Sequence, residues 1–104
     1  MLQKLREEIV AAPQDEWNFE EEAGRMSVSY SHFRRIFRML TGYAPTQFLI
    51  ECRLNHAMKL LTNTALSIRE IAHESGFEDE YYFSRIFRKH RQLTPSAYRK
   101  EFRI

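Results

Sequence analysis

The chain repeats itself. Phe33-Arg34-Arg35-Ile36-Phe37-Arg38 returns fifty residues later as Phe83-Ser84-Arg85-Ile86-Phe87-Arg88, with one substitution in six. The match continues at the same offset: Pro45 pairs with Pro95, Thr46 with Ser96 and Phe48 with Tyr98. Upstream, Ala23 pairs with Ala72 at an offset of forty-nine, so the second copy has gained one residue in its turn. A match of this length means that one supersecondary unit is used twice. The 104 residues must therefore hold two small copies and whatever joins them.

Each copy reads as helix, turn, helix. In the first, Asn18 with Glu21 three residues on forms a helix start, and that helix runs to about Arg25. Met26-Ser27-Val28 turns the chain. Ser29 caps the next helix, which runs to Thr41 before Gly42 supplies a left-handed residue. In the second copy Ser67 and Glu70 form the capping box, Gly76 ends the helix, and Asp79 caps a helix reaching about His90. Between the copies, Pro45 sits at a first helical position. Phe48, Leu49, Cys52, Leu54, Ala57, Met58 and Leu61 follow helical spacing, which predicts a linker helix over 45–61. A first helix carries Leu2, Leu5 and Ile9 and is closed by Pro13. A last one starts at Thr94-Pro95, with Ala97, Tyr98 and Phe102 available for packing. The expectation is an all-α chain of seven helices and no strand. It forms one domain over 1–104, with a helix-turn-helix subdomain over 1–44, the linker helix over 45–61 and a second subdomain over 62–104.

Composition removes several alternatives. No apolar run approaches the ~20 residues needed to span a bilayer, and Met1 to Val10 lacks the apolar segment of a signal peptide. The cytoplasm is the expected location. A single cysteine, Cys52, excludes an internal disulfide. With His56 one turn away it supplies two potential ligands, against the four of a structural zinc site. No Ser/His/Asp or Cys/His grouping, Gly-rich phosphate loop or acidic metal cluster is visible, so the chain does not read as an enzyme and calls for no cofactor. The formal charge of +2 is unevenly spread. Residues 1–26 carry three basic and seven acidic side chains, and residues 27–104 carry thirteen and seven. The split suggests a polyanion partner for the later part, although on charge alone a solvated charged surface is the preferred reading.

The second helix of each copy has two faces. Phe33, Ile36, Phe37 and Leu40 on one, and Phe83, Ile86 and Phe87 on the other, form apolar stripes expected in the core. The opposite faces carry Ser31, Arg34, Arg35 and Arg38, and Tyr81, Ser84, Arg85 and Arg88. Arginines on one face repel one another unless an anion is present. Their planar donors match guanine O6/N7 or phosphate, and a helix fits the major groove of B-DNA.

The sequence also resembles the C-terminal DNA-binding domain of AraC/XylS transcription regulators, over roughly residues 17–100. The residues that carry this are Glu70-Ile71-Ala72, Gly76-Phe77-Glu78-Asp79, Tyr82 to Lys89 and Thr94 to Arg99. In the first half they are Ala23, Ser29, His32-Phe33, Arg35, Phe37, Thr41-Gly42, Pro45, Phe48, Arg53-Leu54, Ala57 and Leu60-Leu61. The resemblance implies two helix-turn-helix subdomains on a rigid central helix. Each would insert a recognition helix into successive major-groove faces of double-stranded DNA, about 34 Å apart. Carried over by position, the base readers are Ser31, Arg34 and Arg35, then Glu80, Tyr81, Ser84 and Arg85. Arg38, Arg88 and Lys89 are expected on phosphates, as are Tyr30, Tyr43, Thr46, Gln47, Thr94 and Ser96.

Three positions depart from the family pattern. Tyr81 is bulkier than usual. Glu80 is acidic, and either accepts from a cytosine amino group or favours its own helix N-terminus. Gln92 replaces a common glycine. Family analogy suggests activation through contact with RNA polymerase. It also suggests a separate sensing or dimerisation domain, which makes this chain either a piece of a longer regulator or a short stand-alone member, the former being preferred. Competing readings are a helical protein-interaction module, with little DNA affinity even at low salt, and a non-specific nucleic-acid binder, with no preferred site.

Overall fold

The computed structural model describes residues 1–103. Among them are seven helices and no strand: α1 Leu2–Ala11, α2 Phe19–Arg25, α3 Tyr30–Thr41, α4 Pro45–Asn63, α5 Ile68–Glu74, α6 Glu80–Arg91 and α7 Pro95–Phe102. The linker helix α4 continues two residues past the expected Leu61. Beyond it, the amide and Oγ1 of Thr64 both donate to Leu60 O, at 3.1 and 2.6 Å. Two compact units meet inside α4: Met1–Cys52, and a second beginning at Arg53.

Five of the helix starts, those of α2, α3, α5, α6 and α7, are fixed by short polar side chains. Asn18 Oδ1 accepts from the amides of Glu20 and Glu21, and Ser29 Oγ from His32 N. Ser67 Oγ accepts from Glu70 N, Asp79 Oδ1 from the amides of Tyr81 and Tyr82, and Thr94 Oγ1 from Ala97 N. Each such cap is worth about 0.5–2 kcal/mol. The residue gained by the second copy is Glu78. Ser27 and Gly76 match at an offset of forty-nine, whereas the caps Ser29 and Asp79 match at fifty.

In the first unit Leu5 and Ile9 of α1, Phe19 and Ala23 of α2, Phe33 and Phe37 of α3 and Leu49 of α4 form the buried core. Phe19, Phe33, Phe37 and Phe48 make a chain of ring contacts with centroids 5.4–6.2 Å apart. The loop between α1 and α2 is tied down by Trp17 Nε1 donating to Ala12 O at 3.0 Å. The second unit is built likewise. Leu54, Ala57, Leu61, Ile71, Ala72, Phe77, Phe83 and Phe87 are buried, and rings run from Phe77 through Phe83 and Phe87 to Tyr98.

One expectation about the core fails. Ile36 and Leu40 do not join Phe33 and Phe37 inside; they remain 36% and 39% exposed, beside Met39 at 80%. The core of the first unit is narrower than the apolar stripe of α3. The two phenylalanines, one turn apart, fill it, and the residues three positions on from each lie at its rim. Ile36 lines a small apolar cleft of about 150 Å³ with Met1, Leu2, Met26, Val28 and Phe33. In the second unit Ile86 is half-buried.

Candidate nucleic-acid interface

Helices α3 and α6 follow turns of the same construction. Val28 N donates to Ala23 O in the first, and Phe77 N to Ala72 O in the second, at 3.1 and 2.9 Å. With Phe33 and Phe37, or Phe83 and Phe87, turned inward, the opposite face of each helix is left outward.

On α3 that face is Ser31, Arg34, Arg35 and Arg38, all exposed. The α3 arginines are not equivalent. Arg34 lies over the ring of Tyr30, 5.9 Å from its centroid. Arg35 Nη2 meets His32 Nδ1 at 2.8 Å. Arginine can only donate, so Nδ1 accepts and the ring proton belongs on Nε2. Arg34 and Arg35 project about 100° apart around the helix, and Tyr30 and His32 draw them toward opposite flanks. No acidic residue stands in the first turn of α3.

On α6 the matching face is mixed. Tyr81 is 82% exposed and Arg85 is exposed, while Glu80 and Ser84 are half-buried. Arg85 lies over the ring of Tyr82, 5.6 Å from its centroid. Arg88 and Lys89 are exposed further along. Glu80 and Tyr81 also line a concave surface of about 650 Å³ with Glu70, Glu74, Glu78 and Asp79, and with Arg69 and His73. The α6 N-terminus is thus acidic where that of α3 is not.

The flanking candidates are placed as follows. Tyr30 is half-buried against Phe33. Tyr43, Thr46 and Gln47 are exposed at the start of α4, where Gln47 Oε1 accepts from Ala44 N at 3.4 Å. Thr94 and Ser96 are exposed at the start of α7, Thr94 serving as its cap.

Sequence reasoning missed the side chains that hold arginines. His32 and Tyr82 stand three residues before Arg35 and Arg85, a spacing that places them on one helix face and could have been noticed. It also missed two arginines absorbed within the second unit. Arg91 Nη2 donates to Asn55 Oδ1 at 3.1 Å, with its Nε 3.2 Å from Met58 Sδ. Arg99 donates to Leu61 O and Thr64 O at 3.0 and 3.2 Å, closing the end of α4.

Cys52 is half-buried against the first core, and this burial, reinforced by the carboxylate of Glu51, pushes its thiol pKa up from 9.0. No described helix is long and apolar enough to cross a membrane.

A short helix, a tight turn and an exposed basic second helix, built twice, define a double helix-turn-helix DNA-binding domain. Known proteins agree. The family described as Helix-turn-helix domain matches residues 23–101. The HTH-type transcriptional activator RhaR of Escherichia coli is 34% identical over 99 residues, which are 95% of this chain and 35% of that protein. The DNA-binding domain of AdpA, a global transcriptional factor solved in complex with a target DNA, superposes with a TM-score of 0.90 at 32% identity. The match covers 97% of this chain and 91% of that one. A transcriptional regulator of Chromobacterium violaceum, with an AraC-type DNA-binding domain, gives a TM-score of 0.85 at 29% identity, covering 96% and 89%. The chain belongs to the AraC-type helix-turn-helix family of DNA-binding transcription regulators. It spans about a third of the length of the curated relatives it matches.

Proposed function

We propose that this chain reads a specific double-stranded DNA site for a bacterial transcription regulator, with α3 and α6 each entering a major groove. The observation that carries this is the pair of exposed arginine-bearing faces on the second helices of two turns with matching hydrogen bonds. In this reading Ser31, Arg34 and Arg35 read bases from α3, and Glu80, Tyr81, Ser84 and Arg85 from α6. Tyr30, Arg38, Tyr43, Thr46, Gln47, Arg88, Lys89, Thr94 and Ser96 hold phosphates. Two arginines assigned to bases on α3, Arg34 and Arg35, against one on α6, Arg85, with the α6 N-terminus acidic, make α3 the stronger reader.

The regulator acts in the cytoplasm, as an activator that contacts RNA polymerase; the likeness to RhaR supports activation. The remaining two-thirds of a full-length protein would sense a signal or dimerise. No catalytic step belongs to this reading. Selection from a random duplex library at fixed salt tests it. Enrichment of a site with two short motifs supports two reading helices. One motif alone makes α6 a backbone contact. Equal weak affinity for all DNA would leave a basic interaction module instead.

A further inference from the structure

A flexible arginine on an exposed helix face loses side-chain entropy when it docks on a base edge. A neighbour that already holds the guanidinium reduces that cost and fixes which base it reaches. Both copies contain such a neighbour at the same place, although its chemistry differs. His32 and Tyr82 match at the fifty-residue offset, as do Arg35 and Arg85. In the first copy the contact is a hydrogen bond to the imidazole lone pair at 2.8 Å. In the second it is a cation over a phenol ring at 5.6 Å.

The two holders are seated differently. The backbone of His32 is fixed by its amide bond to the cap Ser29, and the residue is half-buried. The ring of Tyr82 packs 6.2 Å from that of Phe77, itself in contact with buried Phe83. The same position thus carries, in each copy, a side chain in contact with the arginine three residues further on, although the residue type differs.

We propose that His32 and Tyr82 are positioning residues for base recognition: they hold Arg35 and Arg85 in their reading orientations and set sequence selectivity without touching DNA bases themselves. This rests on the DNA-reading function proposed above. The two holders are interchangeable in kind, because an acceptor lone pair and a π face both attract a guanidinium.

The experiment uses the duplex chosen by library selection. Arg35→Ala and Arg85→Ala first identify which base pair each arginine discriminates. Selectivity is then the ratio of Kd on duplexes changed at that pair to Kd on the selected site. His32→Ala is expected to lower the ratio at the Arg35 base pair about two- to fivefold, the size of one exposed hydrogen bond or cation–π contact. The ratio at the Arg85 base pair and affinity for scrambled DNA should stay unchanged. Tyr82→Leu, which keeps an apolar contact with Phe77, should do the converse. His32→Gln and Tyr82→Phe restore an acceptor and a π face respectively, and should recover each ratio. The double exchange His32→Tyr with Tyr82→His should keep both.

Unchanged ratios in His32→Ala and Tyr82→Leu would overturn the proposal. So would equal weakening on selected and scrambled DNA, or failure of His32→Gln and Tyr82→Phe to rescue. A library that yields no preferred site would overturn the DNA-reading function and this inference with it. A selected site with unmoved ratios overturns this inference alone.

Discussion

Ser27 and Gly76 hold the same left-handed backbone conformation, φ 57° and 93°, at the same place in the two turns. Their amides make the same bond: Ser27 N to Gly24 O, and Gly76 N to His73 O, both at 3.0 Å. At the far ends of the recognition helices the assignment is reversed. Gly42 closes α3 at φ 83°, and Gln92 closes α6 at φ 68°. Gly42 N and Gln92 N reach back to Arg38 O and Arg88 O. Each copy therefore has one glycine and one strained residue at its two left-handed positions.

A substitution series follows from this. A side chain in the left-handed region costs roughly 1–2 kcal/mol, offset in part by the larger entropy glycine loses on folding. Ser27→Gly and Gln92→Gly should each stabilise the fold by about 0.5–1 kcal/mol in urea melts. Gly42→Ala should destabilise by about 1 kcal/mol through backbone strain, because a Cβ there meets nothing within 4 Å. Gly24 lies inside α2 with equally open space, and Gly24→Ala should gain about 0.5–1 kcal/mol. A loss of stability in Gln92→Gly would mean that the contact of its Nε2 with Lys89 O, 3.4 Å away, outweighs the strain.

Arg99 gives a second test. It closes the end of α4 from α7 with two bonds to carbonyl oxygens. Bonds from a charged donor are worth about 1.5–3 kcal/mol each at most, and these are only partly buried. Arg99→Ala should cost about 1–2 kcal/mol in thermal melts. Arg99→Lys should recover less than half, since an ammonium lacks the fork that spans both oxygens. Full recovery by lysine would show that charge at the helix C-terminus is what matters.

The arginines on the outer faces separate by salt. Replacing Arg38 or Arg88 with Ala should weaken all duplexes alike and reduce the log–log salt slope by about 0.9 for each phosphate no longer neutralised. Arg34→Ala and Arg35→Ala should cost about 1–3 kcal/mol on the selected site and relax selectivity at one base pair each. Titration at several salt concentrations measures both. An unchanged slope for Arg38→Ala removes it from the phosphate-binding set.

Seven helices and most of their ends were legible because the signals are local. Asn18, Ser29, Ser67, Asp79 and Thr94 act within three residues of themselves, and the repeat doubled every inference. The fate of Ile36, Leu40, Arg91 and Arg99 was not legible. How far a stripe reaches into a core, and whether an arginine finds a carbonyl thirty-eight residues away, as Arg99 finds Leu61, depends on packing rather than pattern. The candidate interface was half legible: spacing put Arg34, Arg35 and Arg85 on outward faces, while their contacts with Tyr30, His32 and Tyr82 needed side-chain geometry.

Cys52 predicts a pH dependence. Its thiol packs against the first core, where burial chiefly, and the Glu51 charge second, disfavour the thiolate. The folded pKa is therefore above the ordinary 9.0. Below 9.0 the thiol is protonated in both states, and its contribution to stability is fully present. As pH rises beyond that, the unfolded chain loses the proton while the folded chain keeps it, so stability falls until the folded thiol ionises too. Tyrosines and lysines titrate in the same range, so the quantity to measure is the difference between the wild-type chain and Cys52→Ala across pH 8–11 (roughly the thiol window). Their stabilities should differ by a constant packing term below 9.0 and converge above it. Alkylation by iodoacetamide at pH 8 should be slower for the folded chain than for the urea-unfolded chain. Parallel stability curves over the whole range would show that the thiol ionises as readily in the fold as in water.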